Sequence, residues 1–494
     1  MAKTKIPRCM STQHPDNVST PFFSSNSIIE GDAEVKEAYY AYSHLGCDEQ
    51  MWDSEGKDVD NFVVRKLLAS YPQFFQEKRL GKDVFLTLRV PNPDVEKSDG
   101  KILLETLESI PRTYDSAKTF YGPALNDGSA PVFEVILPMT TNAVQVNRVW
   151  SYYKNFVAGK ARSSLSQGDI SVAEWVGEFR PENISVIPLI ENQESMENIE
   201  GIVGGFLQGK KLERLRVFLA RSDPALNYGS LSAVLLVKNA LQKLHALEEK
   251  TSTELLPIIG TGSAPFRGNL TPMNAKHFLT EYPSIQTFTI QSAFKYDYPV
   301  DQVRSSLDFM RASSRGKPAQ VDEAKSLELV ARISEEYAKQ VRLLAPMINK
   351  LSSFVPSRRK RHLHIGLFGY SRSLTGISLP RAITFCASLY SMGIPPELLG
   401  LSALTSKDLE YLDTAYPSFR QDTADAAQFL DKKNLEKFPA LQKEIEKAAS
   451  LFDFQPNAEH NKSSSLILKE FERENGAKVK EEIEKAAWTR RFLG

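Results

Sequence analysis

Three cysteines in 494 residues, Cys9, Cys47 and Cys386, are too few, too far apart and odd in number for a disulfide framework, and they suit a reducing compartment. A structural zinc site is equally short of ligands. Cys9 and His14 lie close together in "RCMSTQHPDN", but no second C-x-x-C or H-x-x-H pair completes a set. No G-x-G-x-x-G follows the first apolar run, which argues against a dinucleotide-binding sheet. The G-x-S-x-G elbow of serine hydrolases is absent, and no Gly-Lys-Ser/Thr closes a phosphate loop. Net charge is missing too: 61 Lys+Arg balance 61 Asp+Glu, so no global field draws the chain to nucleic acid or to an anionic membrane. Any pull on anions must be local. With no apolar run of about 18 residues and no h-region in "MAKTKIPRCM", the expectation is a cytoplasmic protein without a membrane partner.

What the chain does have is a rhythm. Short β-branched or apolar runs recur, each ending in a polar or Gly/Pro cluster: "VFLTLRVPNP" (84–93), "VFEVILPMTTN" (132–142), "ISVIPLIENQE" (184–194), "RVFLARSDPA" (216–225), "LLPIIGTGSAP" (255–265), "FTIQSAFKYD" (288–297) and "LHIGLFGYSRS" (363–373). Runs unbroken by polar alternation suit strands buried on both faces. Segments with helical spacing lie between them, among them 230–250 and 324–348. Strands alternating with helices imply parallel βα units. Seven such units favour a (β/α)8 TIM-type barrel with additional helices. The chain reads as one domain, residues 1–494, with a barrel core at about 84–400 and a helical region at about 401–494.

In such a barrel, active-site residues lie where the strands end. Those ends carry Arg89 and Asn92, Glu191, Arg221 with Asp223, the loop through Arg267, Gln291 with Lys295, and Arg372. Glu191 and Asp223, with few sulfur or nitrogen ligands nearby, suit a hard cation such as Mg2+ or Mn2+; alternatively each pairs with a neighbouring arginine. The loop "GTGSAPFRGN" (260–269) either cradles an anion with its backbone N–H groups and Arg267, or is a tight βα turn whose glycines supply positive φ. The basic run "SRRKRH" (357–362) lacks interleaved aromatics and reads as a solvated helix end or loop, not a nucleic-acid site. His14, fixed by the Pro15–Asp16–Asn17 turn, is either structural or a general base on a loop.

"CMSTQHPDN", "SHLGCDEQMWDSEGKDVDN", "VFLARSDPALNYG", "PIIGTGSAPFRGN" and "QSAFKYD" together resemble the archaeal-type phosphoenolpyruvate carboxylases, from about Arg8 to Gly494. The resemblance implies a barrel that joins phosphoenolpyruvate to bicarbonate, giving oxaloacetate and phosphate for the supply of C4 dicarboxylic acids. It also implies a divalent metal, Mg2+ or Mn2+, and a homotetramer. Against the motifs of the larger bacterial and plant enzymes, His14 matches the histidine of "TAHPTE". Glu191 matches the metal glutamate of "PLFET", and Asp223 the metal aspartate of "GYSDSAKDAG". The glycine loop "HGRGGTVGRGG" resembles "IGTGSAPFRGN", which puts Arg267 on its second arginine and includes Gly262 in the substrate loop. "LRAIPW" resembles "LPRAITF" and points to Arg381. Four family residues depart: a lysine falls on Leu226, an arginine on Thr261 and a histidine on Ile259, and the arginine that follows in the helix of "LRAIPW" has no clear match. Arg372, Arg221 and Lys295 are the candidates to replace the missing charges.

The reaction so implied passes through carboxyphosphate and a metal-stabilised enolate. His14 is the candidate base that deprotonates carboxyphosphate, and Arg267 the candidate stabiliser of transition-state charge. The closing "WTRRFLG" resembles the glycine end of family chains, which tucks towards the active site; a frayed helix end is the other reading.

Overall fold

The computed structural model describes residues 5–54, 60–360, 373–374 and 377–494. Eight parallel strands close a barrel in chain order: β1 (Cys9–Ser11), β2 (Glu49–Asp53), β3 (Phe85–Arg89), β4 (Glu134–Leu137), β5 (Ser185–Ile190), β6 (Arg214–Ala220), β7 (Glu254–Gly260) and β8 (Thr287–Ile290). Closure comes from β8 pairing back on β1, with Cys9 opposite Phe288 and Ser11 opposite Ile290. The architecture is the expected (β/α)8 barrel, and six of the seven apolar runs are β3 to β8. The seventh run, 363–373, falls outside the described residues apart from Ser373, and the barrel closes without it. The barrel strands therefore lie between Cys9 and Ile290, earlier than a core at about 84–400.

The two strands that apolar runs miss explain the difference. β1 has only three residues, and β2 buries Glu49, Gln50 and Asp53. A carboxylate inside a barrel is tolerated only with a partner. Arg216 of β6 supplies it, donating to both Glu49 oxygens at 2.8 and 2.7 Å, while Thr87 of β3 donates to the same carboxylate. Alternate residues of a strand share a face, so the interior is layered. Glu49, Glu134, Arg216 and Thr287 form a polar layer at the strand starts. Met51, Ile136, Ile187, Phe218 and Ile258 belong to one apolar cluster above it. The same alternation carries Arg89 and Glu191 to the opposite end.

Helices cover the outside, including Ser230–Lys250 and Glu323–Ser352, which the helical spacing anticipates at 230–250 and 324–348. After residue 400 the chain is helical, ending in the packed pair Ala458–Glu472 and Gly476–Arg490. The end of the chain is not frayed. Arg491 takes a left-handed φ of 62°, Phe492 and Leu493 are buried, and the Leu493 N–H donates to the Asp16 carbonyl at 2.7 Å. Among the described residues no helix is long and apolar enough to cross a membrane.

Candidate active site

A cavity of about 510 Å³ opens at the strand-end face, and His14, Glu191, Arg221, Asp223, Arg267 and Arg381 all line it. Each arrives by a short path. His14 lies three residues beyond β1, and Glu191 directly follows β5. Arg221 and Asp223 follow β6, and Arg267 sits in the loop after β7. Arg381 caps the helix Ala382–Ser391, outside the barrel strands. Arg89 and Gln291 reach the same cavity from the ends of β3 and β8.

Arg267 is the hub of this arrangement. Buried, it donates from Nη1 to Asp16 Oδ2 at 3.1 Å and to the Gly494 carbonyl oxygen at 2.9 Å. Nη2 donates to Gln291 Oε1 at 2.5 Å and Nε to Ser222 Oγ at 3.1 Å. One guanidinium thus ties together the His14 loop, β8, the segment after β6 and the last residue. Two glycines are required by close approach, one to Arg267 and one to the helix Ala382–Ser391. A Cβ on Gly262 would stand 2.7 Å from Arg267 Nη1, and one on Gly494 would stand 2.1 Å from the Ile383 carbonyl oxygen. Gly262 therefore makes room for Arg267, and it is not part of the cavity lining.

The half-buried His14 is fixed through Nδ1, which shares a hydrogen bond with Thr12 Oγ1 at 2.9 Å. Its loop is held by Asp16, whose Oδ1 accepts the Ala293 N–H at 2.7 Å. Of the two carboxylates, Glu191 is buried and accepts the Met139 N–H at 2.5 Å. Asp223 is half-buried and forms no hydrogen bond or ion pair among the described residues. No group of three or more His, Cys, Asp or Glu placed so that they could hold a metal ion is found among the described residues. Two carboxylates on one cavity, without thiolate or clustered imidazole, are a donor set that fits a hard divalent cation needing further oxygen ligands from substrate and water.

Two of the expected residues that the structure describes are not on the cavity's lining. Besides Gly262, Lys295 turns away: its ammonium is buried on Ser11 Oγ, the Thr12 carbonyl and Glu37 Oε1 at 3.0, 2.9 and 3.0 Å. Burial lowers its pKa against the pull of Glu37. It supports the loop that carries His14 rather than the cavity itself. Arg372 lies outside the described residues. The basic run is also different from its solvated reading. Arg358 and Arg359 are buried and line the cavity, Arg358 pairing with Glu484 and Arg359 with Glu34 and Glu37. Burial by itself raises the Glu37 carboxyl, yet Arg359 and Lys295 outweigh it and hold it at about 2. Local sequence shows a basic run as solvated because its acids lie more than 100 residues away.

Behind the Arg267 loop, Glu397 accepts the Phe266 N–H and the Tyr390 O–H through the same oxygen, while Oε2 is buried without a partner. Burial pushes this carboxyl up to about 7. A carboxyl with a raised folded pKa holds its proton more tightly folded than unfolded. Its contribution to stability is complete below the unfolded value near 4.5 and is lost as pH rises through 7. Glu397→Gln should therefore remove a decline on the order of 3 kcal/mol between those pH values. Chemical denaturation of both proteins at pH 5 and pH 8 measures it; an unchanged decline in the variant would reassign the titration.

Strand-end residues converging on one cavity of a parallel eight-stranded barrel define a (β/α)8-barrel enzyme. The sequence relatives are consistent in what they add. The family model described as phosphoenolpyruvate carboxylase matches residues 6–494. The phosphoenolpyruvate carboxylase of Methanothermobacter thermautotrophicus is 51% identical over 492 residues, 99% of this chain and 100% of that protein. That of Methanospirillum hungatei is 50% identical over 491 residues, 99% and 100% of the two chains. That of Halobacterium salinarum is 48% identical over 490 residues, 99% of each. The chain belongs to the phosphoenolpyruvate carboxylase family, in its archaeal-type branch, and is an enzyme of the carboxy-lyase class.

Proposed function

We propose that the chain carboxylates phosphoenolpyruvate with bicarbonate, giving oxaloacetate and phosphate by two chemical steps. The observation that carries this reading is the meeting of His14, Glu191, Asp223, Arg221, Arg267 and Arg381 around one cavity, in a chain whose relatives are named for this activity. Glu191 and Asp223 would hold Mg2+ or Mn2+, which when bound supplies positive charge against the substrate's anionic oxygens. Arg221 and Arg381 bind the trianion. Arg221 is suited to this because it lines the cavity while its Nη1 is anchored on Tyr282 at 2.6 Å.

A bicarbonate oxygen attacks phosphorus, and the bond from phosphorus to the enol oxygen breaks. The products of this step are carboxyphosphate and the enolate of pyruvate, whose oxygen takes the electron pair near the arginines. His14 then accepts the carboxyl proton of carboxyphosphate at Nε2, since Nδ1 is engaged by Thr12. Carboxyphosphate divides into CO2 and phosphate, and the enolate's methylene carbon adds to CO2. Met51, Leu189 and Phe218 line the cavity and keep water from protonating the enolate first.

Oxaloacetate formation, coupled to malate dehydrogenase, should depend on both bicarbonate and Mg2+. Pyruvate appearing without bicarbonate would instead identify a lyase or phosphotransferase. The product suits replenishment of C4 dicarboxylic acids, and three buried free cysteines fit work in a reducing cytoplasm. The reading includes a homotetramer, for which exposed Phe156, Trp175 and Val176 offer apolar surface; sedimentation velocity on the full chain measures it, and a monomer would remove it.

A further inference from the structure

The barrel has a second cavity at its other end. About 570 Å³ in volume, it is lined by Glu134, Ser185 and Arg214, the first residues of β4, β5 and β6. In a parallel barrel these strand starts stand opposite the face that carries Glu191 and Asp223. The charge of its wall is one-sided. Lys5, Lys154, Lys210, Lys211, Arg214 and Arg216 line it against a single acid, Glu134. That acid is already paired with Arg216 at 3.0 Å, and Lys5 is paired with Asp48 at 2.6 Å. The remaining lysines find no carboxylate among the described residues. Lys154 Nζ lies 4.7 Å and Lys210 Nζ 5.1 Å from the centre of the Trp150 ring, and Lys210 also donates to Asn147 Oδ1 and the Phe206 carbonyl.

Cations gathered in a concave site repel one another, and low-dielectric walls focus their field. Aromatic faces offset this only in part. Asp48 offsets Lys5, and Glu49 and Glu134 offset Arg216, but among the described residues no carboxylate pairs with Lys154, Lys210 or Lys211. We infer that this cavity at the strand starts binds a small polyanion bearing phosphate or carboxylate groups, held by Lys154, Lys210 and Lys211 beside Trp150. The site is separate from the carboxylation chemistry and does not depend on how the opposite mouth works. Its floor is Arg216, which also bonds Glu49 and Thr287 and so joins β2, β4, β6 and β8. An occupant there can therefore be felt across the barrel.

Trp150 supplies the readout. The full chain, titrated at constant ionic strength with inorganic pyrophosphate in one series and citrate in another, should show a saturable change in tryptophan fluorescence. Tighter binding in one series tells phosphate from carboxylate as the preferred group. Trp150→Phe should abolish the signal. Lys154→Ala/Lys211→Ala, at two exposed positions, should raise the dissociation constant at least about tenfold while leaving carboxylation without added anion within about twofold. No saturable change with either anion would overturn the inference, as would a dissociation constant unaltered in the double variant.

Discussion

Replacing His14 by asparagine is expected to stop oxaloacetate formation while leaving a slow, bicarbonate-dependent release of phosphate and pyruvate from phosphoenolpyruvate. In the proposed mechanism the first step, attack on phosphorus, needs the cation site and the arginines, all of which the variant keeps. The second step needs a base for the carboxyl proton of carboxyphosphate, and asparagine has none. General-base removal typically costs 10²–10⁴-fold, so carboxylation should fall by about that factor. Asparagine can still engage Thr12, which fixes His14 through Nδ1 at 2.9 Å, so the loop's geometry is kept. Malate dehydrogenase reads oxaloacetate, lactate dehydrogenase reads pyruvate, and a phosphate assay reads the first step alone. Equal loss of phosphate release and carboxylation would move His14 to the first step. Normal carboxylation would remove it from the mechanism.

Arg267→Ala should do more damage than any other single change at the mouth. It leaves Asp16 buried without its cation, and an uncompensated buried charge costs about 3–5 kcal/mol. It also frees Gly494, Gln291 and Ser222 from a common anchor. A misplacement of about 1 Å at reacting groups costs on the order of 10²-fold, and loss of stabilising charge adds to it, so kcat/KM should fall at least about 10³-fold. Arg267→Lys separates the two effects. Lysine restores a charge beside Asp16 but cannot reproduce the fork that reaches four partners. Denaturation should recover in that variant while kcat/KM stays low. An Arg267→Ala protein with unchanged kcat/KM would take the arginine out of the site.

The same residues show how far the sequence could be read. Glu191 and Asp223 are legible because they end apolar strands, where the barrel rule places chemistry, and the cavity does include both. Lys295 is no less regular in position, five residues beyond β8 in the segment that Gln291 opens, but its side chain goes to Glu37. Nothing near residue 295 announces an acid 258 residues away. Arg358 and Arg359 fail in the opposite sense. They read as solvated charge, and distant acids make them buried wall.

Taken alone, the chain determined the barrel class, six of its strands and the exits that carry charge. Hydrophobic runs and their spacing are local quantities, and burial on both faces of a strand demands them wherever the partner strands lie. Tertiary structure alone decided β1 and β2, the turning away of Lys295, the burial of Arg358 and Arg359 and the hub at Arg267. β1 is only three residues long; each of the others rests on a charge met by a partner far along the chain, and a charge can be buried only once that partner has arrived.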